Sequence, residues 1–380
     1  MLRRLLPVAL TTATALLLAS AAPATARPSG VRLIGEHIVP FAQDYRGTTV
    51  GGLSGIDYDP KTGTYVLISD DRSDRQPARF YTAKIDITKD ALRGFEITGT
   101  KPFLRADGST YPPLSAGGGQ TPDPEDIRID PWTGDYWWSS EGDRIPGATP
   151  VLIDPSLRAA KKDGRFVREL PLAPNLKMSA QDVGPRRNAV LEGLTFAAAG
   201  SLVVSSMEGP LFQDGPEATL TEGALTRITV QDRFAGRVLS QFAYPLDKVH
   251  AAPNPAGGFF VNGVDAILAA NQYDPTKYLV MERSFSTGAT PANSIRIYEV
   301  DTTGATDVKR IDSLKGDKKV KPVRKRLLVD LASLKLSTVD NVEGMSWGPT
   351  LPTGERTLVL VSDDNFAKNQ VTQVIALAVR

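Results

Sequence analysis

Apolar residues come in short runs along the chain, and the runs come in pairs. Leu53-Ser54-Gly55-Ile56-Asp57-Tyr58 is followed by Tyr65-Val66-Leu67-Ile68-Ser69-Asp70. The couplet returns at residues 124–129 with 136–141, at 191–196 with 202–208, and at 342–347 with 358–363. A weaker copy leads from Asp265-Ala266-Ile267-Leu268 to Leu279-Val280-Met281-Glu282. The runs are short and rich in Val, Ile, Tyr and Trp, so they read as strands. Turn residues join them, as in Asp59-Pro60-Lys61-Thr62-Gly63 and Asp130-Pro131-Trp132-Thr133-Gly134. From the anchor of the first run to the acid ending the second, the interval is 16 residues in three copies (54 to 70, 125 to 141, 192 to 208). It is 17 in the fourth (265 to 282) and 20 in the fifth (343 to 363). One structural unit used five times explains a near-constant interval in divergent sequence.

Two more strand-like runs follow each of the first four couplets: 80–85 and 94–98, 150–153 and 166–170, 225–230 and 239–243, 295–299 and 325–329. The last couplet has only 371–377, and residues 31–38 can supply its missing strand. Four strands per repeat, with the chain ends sharing one sheet, predict an all-β fold: a closed β-propeller of five four-stranded blades. Six blades stay open, because the loops 103–121 and 249–263 have room for strands. A β-sandwich or a two-domain all-β chain is the competing architecture. No linker-like shift in composition divides residues 27–380, which read as one domain.

Composition narrows the functions. The chain has 380 residues, 41% of them hydrophobic, too many for a disordered chain. With 44 basic and 43 acidic residues the net charge is +1, which argues against nucleic-acid binding by overall basicity. There is no cysteine, hence no disulfide, thiolate metal site or cysteine nucleophile. The two histidines, His37 and His250, are too few for a multi-histidine zinc site. Residues 1–26 read as a secretory signal: Arg3 and Arg4, an apolar stretch densest at 15–19, and the small-x-small site Ala24-Thr25-Ala26. Thr11, Thr12 and Thr14 break that stretch, which is too short to span a membrane. The expectation is an exported, monomeric protein with no membrane span.

In a propeller blade the first strand lines the channel and the second returns to the face where the first began. Glu125, Glu192, Asp265 and Glu343 should therefore share one rim with Asp70, Glu141, Glu208, Glu282 and Asp363. The loops 71–79, 103–121, 171–190, 209–223, 248–263 and 312–340 should open on that face, where binding and catalysis usually sit. Crowded carboxylates must be protonated, paired with cationic side chains, or bridged by a metal ion. Hard oxygen ligands suit calcium. Arg72, Arg79, Arg187 and Arg283 fall on the same face, and arginines beside a metal suit an anionic ester such as a phosphate. Gly55, Gly193 and Gly344 follow three anchors and should permit close packing at the channel. Gly52-Leu53-Ser54-Gly55 lacks the Gly-x-Ser-x-Gly spacing of a nucleophile elbow. A Ser–His–Asp arrangement would have to use His37, which lies in the closing strand, or His250, which lies in a loop of the functional face.

Several of these segments resemble the bacterial phytase-like family described by an esterase-like activity of phytase. They are Gly52-Leu53-Ser54-Gly55-Ile56 with Ile68-Ser69-Asp70-Asp71-Arg72 and Arg79-Phe80-Tyr81; Pro124-Glu125-Asp126-Ile127 with Ser140-Glu141-Gly142; Glu192-Gly193-Leu194-Thr195; and Asn341-Val342-Glu343-Gly344-Met345-Ser346 with Ser362-Asp363-Asp364-Asn365. The resemblance implies a propeller fold, export, and hydrolysis of phosphoesters or other esters. The Asp-Asp-Pro-Ala opening of true β-propeller phytases is absent, which leaves phytate as the substrate an open question.

These lines converge on a secreted hydrolase of phosphate or related esters. Asp70, Glu125, Glu141, Glu208, Glu282 and Asp363 would hold a divalent metal, calcium by ligand type, and a metal-bound water would attack. Glu192, Glu343 and His250 are the candidate catalytic groups. Arg72, Arg79 and Arg283 would bind the small anionic substrate. Two alternatives remain: a non-catalytic propeller whose acids are paired with arginines, and a lactonase-type hydrolase acting on neutral sugar lactones.

Overall fold

β-Branched and aromatic side chains pack well on a pleated surface, and here turn residues break them into segments of strand length. In the computed structural model, which describes residues 30–380, these segments build five four-stranded antiparallel sheets. The expected secretory signal lies outside the described residues. Blade one comprises Leu53–Asp59, Thr64–Ser69, Arg79–Ile87 and Leu92–Pro102. Blade two comprises Pro124–Ile129, Tyr136–Ser140, Ser156–Ala160 and Phe166–Leu170. Blade three comprises Leu191–Ala197, Leu202–Met207, Leu225–Asp232 and Val238–Pro245. Blade four comprises Phe260–Ala269, Lys277–Ser286, Asn293–Asp301 and Arg324–Asp330. Blade five comprises Val342–Thr350, Arg356–Ser362 and Thr372–Val379, completed by Val31–Val39 from the other end of the chain.

The first strands of the five blades touch one another in a closed cycle, the last against the first. The fold is a five-bladed β-propeller. Residues 103–121 contain one isolated bridge, Leu104 to Thr110, and a single turn of 3-10 helix; they add no sixth blade. One strand assignment moves. Val151–Ile153 is not the third strand of blade two but pairs with Asp143–Ile145 in a two-stranded ribbon. The third strand is the polar-flanked Ser156–Ala160, whose Ser and Ala content hides its strand character. Among the described residues no helix is long and apolar enough to cross a membrane.

Five hydrophobic clusters hold the ring, one at each contact between neighbouring blades. The contact of blades one and two is aromatic: Phe103 stacks on Trp138 with centroids 4.5 Å apart, and Phe80 meets Tyr136 edge-on at 4.9 Å. At the axis the inner strands approach too closely for side chains at some positions. A Cβ on Gly55 would lie 2.7 Å from Asp126 Cα, and one on Gly193 would lie 2.6 Å from the Ile267 nitrogen. These glycines serve close packing, as expected from the sequence.

The axis itself holds one guanidinium. Arg128, from the inner strand of blade two, donates to the carbonyls of Leu194 (2.6 Å) in blade three, Ile56 (2.6 Å) in blade one and Ile267 (3.3 Å) in blade four. Asp126, 2.8 Å away, balances its charge and accepts from the Leu194 amide at 2.9 Å. Removing one partner of a buried ion pair typically costs about 3–5 kcal/mol, because the other is left uncompensated. Arg128→Leu is therefore expected to lower stability by about that amount in urea denaturation. A loss under about 1 kcal/mol would show that the ring does not depend on this tie.

Candidate metal and active site

Each inner strand carries a one-residue bulge at its anchor. The register slips between Leu53 and Gly55, Pro124 and Ile127, Leu191 and Leu194, Val264 and Ala266, and Val342 and Gly344. The extra residues are Ser54, Glu125 or Asp126, Glu192 or Gly193, Asp265 and Glu343. Bulges re-aim side chains, and here they occur where Glu125, Glu192, Asp265 and Glu343 gather at one mouth of the channel. The acid ending the second strand is placed by a repeated backbone hydrogen bond across the top of the blade. The amides of Asp70, Glu141, Glu208 and Asp363 donate to the carbonyls of Gly52, Asp123, Val190 and Asn341 at 2.6–2.9 Å.

Nine carboxylates meet there: Asp70, Asp123, Glu125, Glu141, Glu192, Glu208, Asp265, Glu343 and Asp363. Two arginines accompany them and divide the rim. Arg283 lies 2.9 Å from Asp265, 3.4 Å from Glu343 and 3.8 Å from Glu208. On the other side Arg72 alone among the described residues reaches the cluster, 3.3 Å from Asp123, and it also lies 2.8 Å from Asp143. That side contains two carboxylate triads, Asp70–Asp123–Glu125 and Glu125–Glu141–Glu192, each with one oxygen per residue within 4.8 Å of the others. Asp70 Oδ1 is buried there with no hydrogen-bond partner among the described residues. An orphaned carboxylate oxygen beside an all-oxygen donor set fits a hard divalent cation, with Glu125 common to both triads.

Burial, reinforced by neighbouring carboxylates, raises these acids. Asp123, Glu141 and Glu208 are pushed up to about 8. Asp265 also reaches about 8 through burial, although Arg283 opposes the shift. Asp70, Glu125, Glu192 and Asp363 rise well above the usual carboxylate range for the same first cause. Burial likewise raises Glu343, against Arg283 and a hydrogen bond from Asn341.

Arg72, Glu192 and Glu343 stand at this mouth with Asp70, Glu125, Glu141, Glu208 and Asp363. Three candidates do not. Glu282 is set apart: it accepts from Tyr244, Lys325, Asn262 and the Asp247 amide. The cause is a register slip. The residue before the anchor pairs with Ser69, Ser140, Met207 and Ser362 in the other blades, but with Glu282 in blade four. The rim position is thus Arg283, and strand alternation turns Glu282 to the other face. Arg79 is fully buried, bound to Asp71 (2.6 Å), Tyr81 (2.7 Å) and the Thr49 carbonyl (2.9 Å). It organises the 71–79 loop and presents nothing to a substrate. His250 is also set apart from the rim, in a small pocket with Glu282. Its Nδ1 faces Ser284 Oγ and its Nε2 faces the Pro291 carbonyl, both at 3.0 Å, so no acid orients it. Asp123 is the rim acid that strand reading passes over. It precedes the strand, and its only signal is the acid-rich segment Asp123-Pro124-Glu125-Asp126.

A five-bladed propeller with an acid-lined mouth is the class of protein that fold and site define. Within that class the chain belongs to the phytase-like family, described as having the esterase-like activity of phytase, whose pattern it matches over residues 48–366. No curated protein matches it in sequence. Among solved structures, the periplasmic gluconolactonase of Pseudomonas aeruginosa shares 12% identity over 87% of each chain, with a TM-score of 0.35. An α-L-arabinanase of Cellvibrio cellulosa shares 12% identity over 86% of this chain and 91% of that one, with a TM-score of 0.43. The hydrazine synthase of Kuenenia stuttgartiensis shares 11% over 86% and 82%, with a TM-score of 0.38. None of these likenesses bears on the chemistry of this chain.

The raised acids fix a direction for pH dependence. Folding favours their protonated forms, so the stability they contribute is present below about pH 4 and lost as pH rises towards 8. Acids with lowered values, such as Asp59 and Asp130, act oppositely, but below about pH 4. Between pH 5 and 8 the rim should dominate. The melting temperature of the chelator-treated protein is expected to fall across that interval, and calcium should flatten the fall. A melting temperature that stays level or climbs in chelator would contradict this account of the rim.

Proposed function

We propose that this protein is an exported, metal-dependent hydrolase of phosphate or related esters. The observation that carries the reading is the half of the rim that Arg283 does not neutralise, where Asp70 keeps a buried oxygen without a partner. Asp70, Asp123, Glu125, Glu141 and Glu192 would hold the cation, and calcium suits their hard oxygens. A divalent cation bound there would polarise an ester oxygen and ease the ionisation of water.

The chain's own groups supply the rest. Glu343 Oε1 accepts from Asn341 at 2.9 Å and lies 3.4 Å from Arg283. Held in this way, Glu343 is placed to take a proton from attacking water. Glu192, in the second triad, helps to seat the cation rather than acting on the substrate. Arg72 keeps part of its surface open at the mouth and would bind the ester's anionic group. Arg283 offsets the charge of Glu208 and Asp265 and keeps Glu343 in position.

The test combines thermal melting after chelation, with calcium, magnesium or manganese restored, and hydrolysis of p-nitrophenyl phosphate, bis(p-nitrophenyl) phosphate and p-nitrophenyl acetate. Metal is expected to raise both the melting temperature and phosphoester turnover. The double variant Glu125→Gln/Glu192→Gln should lose the metal-dependent rise in melting. Glu343→Gln should keep that rise but lower kcat about 10²–10⁴-fold, the usual contribution of a general base. Turnover that survives both chelation and the double variant would defeat the proposal. Metal-dependent melting with no hydrolysis of any ester would favour a binding role.

A further inference from the structure

Beside the carboxylate cluster, three loops meet on one buried acid. Asp143 begins the short ribbon of blade two, and its side chain is 1% exposed. Arg72, from the loop after the second strand of blade one, donates to Asp143 Oδ2 at 2.8 Å. Arg187, from the loop before the first strand of blade three, donates to Asp143 Oδ1 at 2.9 Å. One carboxylate thus carries two guanidinium groups; Asp123 also offsets Arg72, so Arg187 is the one left incompletely neutralised among the described residues.

The two arginines also hold unused donors. Arg72 Nε lies 3.3 Å from Asp123 but is not aligned to donate to it, and this buried N–H has no hydrogen-bond acceptor among the described residues. Arg187 is half exposed, with Asp143 as its sole ion-pair partner among the described residues. Neighbouring arginines are already committed. Arg144 and Arg186 donate to backbone carbonyls and lie over the ring of Phe212. Arg283 is engaged by three acids.

We propose that Arg72 and Arg187, fixed on Asp143, form an oxyanion-binding subsite next to the cation site. Paired guanidinium forks match the planar or tetrahedral oxygens of carboxylate, sulfate and phosphate. Arg72 is the link between the two sites, because it contacts Asp143 on one side and Asp123 of the first triad on the other. The substrate class that fits is an ester bearing an anionic group close to the bond that is cleaved. Asp143 is a positioning residue. Anion binding stands by itself, whereas the role in substrate choice rests on the hydrolase reading.

Two measurements separate these levels. Sulfate is titrated calorimetrically into calcium-loaded protein, with ionic strength held constant by chloride. Saturable binding is expected, weakened at least about tenfold by Arg187→Gln and by Arg72→Gln. Asp143→Asn should weaken it as well, because both guanidinium groups lose their anchor. Wild-type protein that shows no saturable binding, or an Arg187→Gln variant that binds sulfate as well as wild type, overturns the subsite. In the hydrolysis assay, Arg187→Gln should raise the ratio of KM for p-nitrophenyl phosphate to KM for p-nitrophenyl acetate. An unchanged ratio overturns the role in substrate choice. If no ester is hydrolysed, the hydrolase reading fails while the sulfate titration still decides the subsite.

Discussion

Five strands that converge on one axis bring backbone carbonyls into a space that water enters poorly, and each carbonyl needs a donor. Arg128 answers this need for three other blades at once, and Asp126 keeps its charge from standing alone. The inner ring can be this tight only because Gly55 and Gly193 carry no side chain at the points of closest approach. Arg128 and Asp126 lie on the inner strand of blade two just past Glu125, so the acid-lined mouth has a polar floor.

The mouth concentrates like charge beyond what the fold can neutralise. Nine carboxylates share two arginines, and the arginines are unequally placed. Arg283 settles one side by pairing with Asp265 and standing near Glu343 and Glu208. The other side has carboxylate oxygens within 4.8 Å of one another and must take up protons or a cation. The ring thus divides its mouth into a scaffold half and a half able to bind a metal ion. Chains built from copies of one unit often need one unit to differ before a symmetric rim can acquire a direction, and here blade four differs.

Repetition made the architecture legible in the sequence. Couplets with anchors at similar intervals can be recognised even where identities are lost, and so can the N-terminal strand that completes the fifth blade. The positions of the rim acids were legible in the other blades, the fifth included although its couplet is longer. The reading failed in blade four, where both inner strands are ten residues long and the register moves by one. Interval counting then selects Glu282 instead of Arg283, and strand alternation turns that single step into the opposite face. Arg79 could not be told from an exposed arginine, because its burial depends on Asp71 and Tyr81 closing around it. Arg128 was invisible for a related reason. Its partners are backbone carbonyls in three other blades, and carbonyls leave no trace in the identity of residues.

The seam in blade five has a mechanical consequence. Val31–Val39 and Thr372–Val379 run antiparallel with Val31 opposite Val379, and the amide of Arg380 donates to the Gly30 carbonyl at 2.9 Å. Both outlets of the chain therefore leave from the same end of one ladder. A pull on the two ends would load these hydrogen bonds one after another, as a zipper is loaded, rather than all together in shear. The molecule would resist tension least at its own closure and would open there before any blade gave way, releasing the first strand while the four blades made from continuous chain remained stacked.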